Sequence, residues 1–284
     1  MSGTAAELVE GGRLGPYRLV RLLGEGGMGL VFEAVREPDG EVVALKVLRA
    51  ELSADETYRE RFAREGRIAS GLTHRHLVPV VDFGELDAHP YVASRYVAGR
   101  TLADVLARDG ALALSPLLRT ICEVATALDT LHRAELVHRD VKPANIMVEE
   151  SGASFLTDFG LARGEAATVL TRTGRVAGTV EYLAPEVIRG ERATPASDIY
   201  ALGCVTFECI AGRPPFGGES FREVALAVIQ DEPSDPCADR PELPSGLSFA
   251  VLQALAKTPS ERPPTAAAYA LMLRISAKPV ELPA

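Results

Sequence analysis

The 284-residue sequence predicts an α+β fold of two lobes, a small antiparallel β-sheet lobe carrying one helix and then a mainly α-helical lobe. Two observations predict it. From Tyr17 to Val47, short β-favouring runs are separated by glycines and by the turn Pro38-Asp39-Gly40. After Gly99, apolar residues recur at helical spacing through most of the remaining chain. The length suits one large domain or two intimate lobes.

Residues 1–16 are small, acidic and aperiodic, and are expected to be a leader that is flexible or loosely docked. The run from Tyr17 to Val47 predicts three strands, and strand signals resume at Val78 to Asp82 and Pro90 to Val97. Between them, Ala54 to Leu72 sets Phe62, Ile68 and Leu72 at helical offsets, so one helix is inserted in the sheet. Helices are expected at Leu102 to Ala107, Ser115 to Arg133, Thr194 to Ala211, Ser220 to Ile229 and Phe249 to Leu255. The first lobe then covers 17–95, a hinge 96–99, the second lobe 100–275 and a tail 276–284. A crevice between such lobes is a common ligand site. The proline-rich segment Asp231 to Pro244 reads as an irregular surface loop.

Hydrophobic residues at 47% and charged residues at 24% are the balance of a soluble globule. The net charge of −9 disfavours nucleic acid and anionic membranes as partners, because both require a large basic face. Cys122, Cys204, Cys209 and Cys237 lack the spacing of a metal site or disulfide framework. The longest apolar run, Ile199 to Ala211, is interrupted by Glu208, and no secretory signal is evident. A soluble, cytoplasmic chain is expected.

The stretch Gly24-Glu25-Gly26-Gly27-Met28-Gly29-Leu30-Val31 sits between two strand signals. Its glycines would let backbone amides approach phosphate oxygens, although a plain glycine-rich hairpin has the same composition. A dinucleotide-binding fingerprint would need a helix next, whereas Leu30-Val31-Phe32-Glu33-Ala34-Val35 has the pattern of a strand. In Val43-Ala44-Leu45-Lys46-Val47 a single lysine interrupts an apolar strand. It could simply reach solvent. It could also pair with Glu65 or Glu60 on the inserted helix and so be aimed at phosphate.

Further on come His138-Arg139-Asp140-Val141-Lys142-Pro143-Ala144-Asn145, then Thr157-Asp158-Phe159-Gly160, then Ala184-Pro185-Glu186. Together and in this order, following a glycine lid and a strand lysine, they resemble the protein kinase superfamily from about Tyr17 to Ile275. Gly26-Gly27-Met28-Gly29 and the wording after Asp140 look most like the eukaryotic-type serine/threonine kinases of bacteria, actinobacteria in particular. The resemblance implies a protein-kinase-like fold and transfer of the γ-phosphate of ATP to serine or threonine hydroxyls of proteins.

It also implies roles for named residues. Asp140 would orient the substrate hydroxyl and take its proton, Lys142 would face the γ-phosphate, and Thr179 would hydrogen-bond both. Lys46 would reach the α- and β-phosphates, with Glu65 as its partner. Asn145 and Asp158 would hold Mg²⁺, with Mn²⁺ as a substitute. The nucleotide would lie against Leu23, Gly24, Glu25, Gly26, Gly27, Met28, Gly29, Val31, Ala44, Lys46 and Met147, its adenine read by the Arg95 carbonyl and the Val97 amide. His138 and Phe159 would pack internally, Asp198 would anchor the Asp140 loop, and Glu186 would pair with Arg262. Phosphate on Thr168, Thr171 or Thr173 would order an activation segment through Arg139. Relatives of this kind pair through their first lobe and often continue into a membrane span and sensor, so a homodimer and anchoring beyond residue 284 are expectations too.

The sequence departs from the family pattern in two places. Ser94 stands where a bulky apolar residue is usual at the back of the adenine pocket, and Arg95 replaces a hinge glutamate. Gly66, directly after Glu65, weakens the inserted helix, so either the helix swings or the glycine allows close packing. The rival readings are a pseudokinase, which typically lacks one of Lys46, Asp140 and Asp158, and a small-molecule phosphotransferase. Ala184-Pro185-Glu186 and Thr179 oppose the latter because they resemble a peptide platform.

Overall fold

The computed structural model describes residues 8–26, 29–48, 56–158 and 180–278. They fall into two compact units, the first running to His74 and resuming over Val78–Ala98, the second holding Arg75–Leu77 and the chain from Gly99 onward.

The first unit is a six-stranded antiparallel sheet in the order β1-β2-β3-β4-β6-β5. Its strands are β1 (Arg13–Leu14), β2 (Tyr17–Gly26), β3 (Gly29–Arg36), β4 (Glu41–Leu48), β5 (Val80–Leu86) and β6 (His89–Arg95), with helix α1 (Glu56–Ser70) between β4 and β5. Because strand side chains alternate, Phe32, Ala34, Val43, Leu45, Val47, Tyr91 and Ala93 share one face. They form a buried core with Leu14, Tyr17 and Leu19. Each large member contributes about 1.5–3 kcal/mol by leaving water.

The sheet is strongly curled. Strands β2 and β5 stand far apart in the order, yet Tyr17 on β2 donates its hydroxyl to Asp82 Oδ2 on β5 at 2.6 Å. Tyr91 on β6 donates to the same oxygen at 2.7 Å. Gly15 is so close to Leu86 that an added Cβ would lie 2.8 Å from its methyl carbon.

The leader expected over residues 1–16 is corrected from Leu8 onward. Arg13–Leu14 pair with Tyr17 and Arg18, and Leu14 is fully buried. Glu10 accepts the Leu22 N–H. A two-residue strand is too short to show alternation, which is why the sequence conceals it. The strand expected at Val78 to Asp82 is Val80–Leu86. Pro79 has no N–H to give to a ladder, but its carbonyl accepts from Arg95 N at 3.0 Å.

The second unit contains α2 (Leu102–Asp109), α3 (Leu114–Arg133), α4 (Pro185–Ile188), α5 (Pro195–Ala211), α6 (Phe221–Gln230), α7 (Gly246–Ala254) and α8 (Ala266–Ser276). It also holds a small sheet of β7 (Arg100–Thr101), β8 (Ile146–Val148) and β9 (Ser154–Leu156), which the sequence did not signal. Helix α5 is buried on all sides from Ser197 to Phe207, as a central core helix must be. A Thr101–Asp104 capping box starts α2, and Ser220 and Thr265 cap α6 and α8. Among the described residues, no helix is long and apolar enough to cross a membrane.

Candidate active site

In the first unit the register places the predicted phosphate-facing residues together. Gly24, Val31, Lys46, Val92 and Phe83 are successive cross-strand partners, one transverse row on the face opposite the core. The next row on that face holds Glu33, Ala44, Ser94 and Val80. Val31, Ala44 and Lys46 therefore line one surface, with Ser94 directly beside Ala44. Glu65, on α1, is buried to 8% exposure. Leu23 and Glu25 are exposed near the end of β2, and Gly26 pairs with Gly29 across the hairpin.

The two glycines of this hairpin have different surroundings. At Gly29 a Cβ would lie 2.0 Å from the Val47 carbonyl oxygen, so close strand packing excludes any side chain. At Gly24 an added Cβ would meet no described atom within 4 Å. Among the described residues, packing does not require glycine there. Arg95 donates its amide to Pro79, Val97 is buried, and the unit ends at Ala98. Gly27 and Met28 lie outside the described residues.

In the second unit the loop from His138 to Asn145 is organised by Asp198 of α5. Its Oδ2 accepts from His138 N at 2.8 Å and its Oδ1 from Arg139 N at 2.9 Å. His132 of α3 adds a 2.8 Å contact from Nε2. Asp198 is 2% exposed, so these donors replace the water that a buried carboxylate would otherwise need. Arg139 turns through φ 66°, a left-handed value that non-glycine residues rarely adopt.

His138 is fully buried and its protonation is fixed by its partners. Nδ1 accepts the Asp140 N–H at 3.2 Å, so Nε2 carries the proton and donates to the Thr157 carbonyl at 2.9 Å. Burial lowers its pKa, against the pull of the Asp198 and Asp140 charges, in keeping with a neutral ring. Thr157 is held on both sides, since its N–H donates to the Asn145 carbonyl at 3.0 Å. The following Asp158 has φ 60°. Asn145 and Asp158 are thus brought together through the backbone.

Asp140 Oδ2 receives Asn145 Nδ2 at 3.0 Å and Lys142 Nζ at 3.0 Å, and the Asp140 carbonyl receives Asn145 Nδ2 at 2.7 Å. With both amide hydrogens of Asn145 turned to Asp140, its carboxamide oxygen is the atom left for a cation. That oxygen and the Asp158 carboxylate are hard donors suited to Mg²⁺. Met147 lies on β8 between Thr101 and Phe155.

Glu186 and Arg262 form a buried fork, Nη1 to Oε1 and Nη2 to Oε2, each at 2.8 Å. Ser197 also donates to Oε1 at 2.7 Å. Burial alone would raise the Glu186 pKa, but the hydrogen bonds from Arg262 and Ser197 outweigh it and hold the carboxyl below its ordinary value. Carbonyls of Ala256, Ala196 and Lys257 take the remaining guanidinium hydrogens. Thr179, Phe159, Thr168, Thr171 and Thr173 lie outside the described residues.

Sequence reasoning missed His132. It follows Leu128 by one helical turn on the buried face of α3, and a histidine there is the signal that could have found it. It also missed Asp82, whose two tyrosine partners no local pattern connects.

The comparisons agree with this geometry. Residues 17–270 match the family described as "Protein kinase domain". Serine/threonine-protein kinase PknE of Mycobacterium tuberculosis is 41% identical over 262 residues, covering 92% of this chain and 46% of the relative. PknH of Mycobacterium bovis is 40% identical over 261 residues, covering 92% of this chain and 44% of that one. The chain thus spans less than half the length of these relatives. Among solved structures, the Mycobacterium tuberculosis PknI kinase domain superposes with a TM-score of 0.78 at 31% identity, covering 95% of this chain and 99% of that one.

Proposed function

Since this chain belongs to the protein kinase domain family, we propose that it transfers the γ-phosphate of ATP to serine and threonine hydroxyls of proteins. The observation that carries the reading is the Asp140 carboxylate, flanked by Lys142 and Asn145 on a loop pinned by Asp198. Phosphoryl transfer has a loose, highly charged transition state, so the protein's work is positioning and charge neutralisation.

Asp140 accepts a hydrogen bond from the substrate hydroxyl and takes its proton as the new O–P bond forms and the bond to ADP breaks. Lys142 neutralises the transferring phosphoryl group, and Lys46, oriented by Glu65, holds the α- and β-phosphates. By the family resemblance, Thr179 would be a hydrogen-bond partner of Asp140 and Lys142. Leu23, Val31, Ala44 and Met147 contact the nucleotide, and the backbone of Arg95 and Val97 reads adenine. Asn145 and Asp158 are the ligands for Mg²⁺, which when bound offsets phosphate charge. Ser94 beside Ala44 leaves room deep in the adenine pocket.

We further read Thr168, Thr171 and Thr173 as autophosphorylation sites whose phosphate pairs with Arg139. Incubation with γ-labelled ATP, Mg²⁺ and a generic basic protein tests the reading. Label recovered as phosphoserine or phosphothreonine, with phosphate mapped by mass spectrometry to at least one of the three threonines, is expected. Nucleotide binding without transfer would instead identify a pseudokinase.

A further inference from the structure

Gly66 occupies the middle of α1, where glycine weakens a helix. Its neighbour explains it. A Cβ at this position would lie 2.4 Å from Cδ2, 2.7 Å from Cε2 and 2.8 Å from Cγ of Phe83. Carbon atoms prefer about 3.5–4.0 Å, so alanine would force helix and ring apart by about 1 Å.

Phe83 is itself held in place. It ends the transverse row Val31, Lys46, Val92 and Phe83, so it shares a sheet face with Lys46 at a distance of two strands. At about 4.8 Å per strand that is roughly 10 Å. The preceding residue, Asp82, projects to the opposite face. There its Oδ2 takes the hydroxyls of Tyr17 and Tyr91, and its Oδ1 accepts the Phe83 N–H at 2.9 Å. The strand step that carries Phe83 is therefore tied from behind to β2 and β6.

We propose that Gly66 and Phe83 form a notch that sets where α1 lies over the sheet and so positions Glu65 against Lys46, with Asp82 fixing Phe83. This rests on the proposed kinase reading, in which Lys46 and Glu65 act as a pair. Gly66, Phe83 and Asp82 are positioning residues, since none faces the transferred group. Glu65 is adjacent to Gly66 in sequence and is buried, so a displacement of the helix at the notch is passed to Glu65.

The test compares wild type, Gly66→Ala, Phe83→Ala and the double variant in a protein phosphorylation assay. Gly66→Ala is expected to lower kcat by roughly 10- to 100-fold, the cost of about 1 Å of misplacement, with KM for the protein substrate unchanged. Phe83→Ala, which loosens the notch without a clash, is expected to lose less than about tenfold, and the double variant to recover to within about threefold of Phe83→Ala, because the ring that alanine would strike is gone. Because relief of the clash would restore stability as well, kcat is compared per folded molecule, with Tm measured on the same four proteins. If Gly66→Ala does not fold, Phe83→Trp presses on the same notch from the sheet side and is expected to lower kcat alone. Gly66→Ala as fast as wild type, or a double variant as slow as Gly66→Ala, would overturn the notch. A wild type that transfers no phosphate overturns the kinase reading itself, which separates the two failures.

Discussion

A single buried carboxylate, Asp198, holds two backbone amides and one imidazole, and its removal would take away the acceptor of both the His138 and Arg139 amides. His138 works in the same network as a neutral ring whose two nitrogens have opposite duties. Its pKa in the folded chain lies below the ordinary value near 6.5 because burial penalises the charged form. The unfolded chain therefore binds the proton more readily, and this contribution to stability is complete above about pH 6.5 and lost as pH falls toward the folded value. Thermal unfolding between pH 7.5 and 5.5 should show Tm falling with acidity. The fall should be shallower in His138→Asn, and an equally steep fall in that variant would show that another group governs it.

At the scale of elements, Arg262 ties the segment after α7 to α4 and to the start of α5, with all five of its N–H donors engaged. Its ring-stacked position over Tyr200, 4.9 Å from the centroid, adds packing to charge. Arg262→Ala leaves the Glu186 carboxylate buried with only Ser197 as a side-chain partner. The expected loss is about 3–5 kcal/mol in urea-induced unfolding, and a loss below about 1 kcal/mol would mean that the fork is not a principal tie. Such ties also mark the limit of reading from sequence. Asp140 and Asn145 were legible because residues that touch lie five apart in one loop, and Lys46 because it is alone in an apolar strand. The Glu186–Arg262 fork spans 76 positions and was found only through family resemblance. Asp82 and Tyr17 are 65 positions apart, and no sequence pattern predicts that a sheet curls far enough to join them. Strands β7, β8 and β9, of two or three residues, are too short to display alternation. Gly66 left two readings open because its partner, Phe83, lies 17 positions on in strand β5. The contact to Phe83 favours close packing.

At the scale of the whole molecule, the proposed reading draws on residues of both units, Lys46, Glu65 and the glycine hairpin of the first and Asp140, Asn145 and the anchored loop of the second. The family match covers both. The central proposal is that Asp140 acts on the substrate hydroxyl, as opposed to merely shaping its loop. Asp140→Asn preserves size and leaves the anchoring contacts of Asp198 to His138 and Arg139 untouched, while removing the base. Measured side by side with wild type in single-turnover transfer from γ-labelled ATP to a protein substrate, Asp140→Asn should lose at least about 100-fold in rate, within the usual contribution of general base catalysis. ATP affinity should stay within about threefold of wild type, as expected for a change confined to the chemical step. A variant that transfers phosphate as fast as wild type would contradict the account.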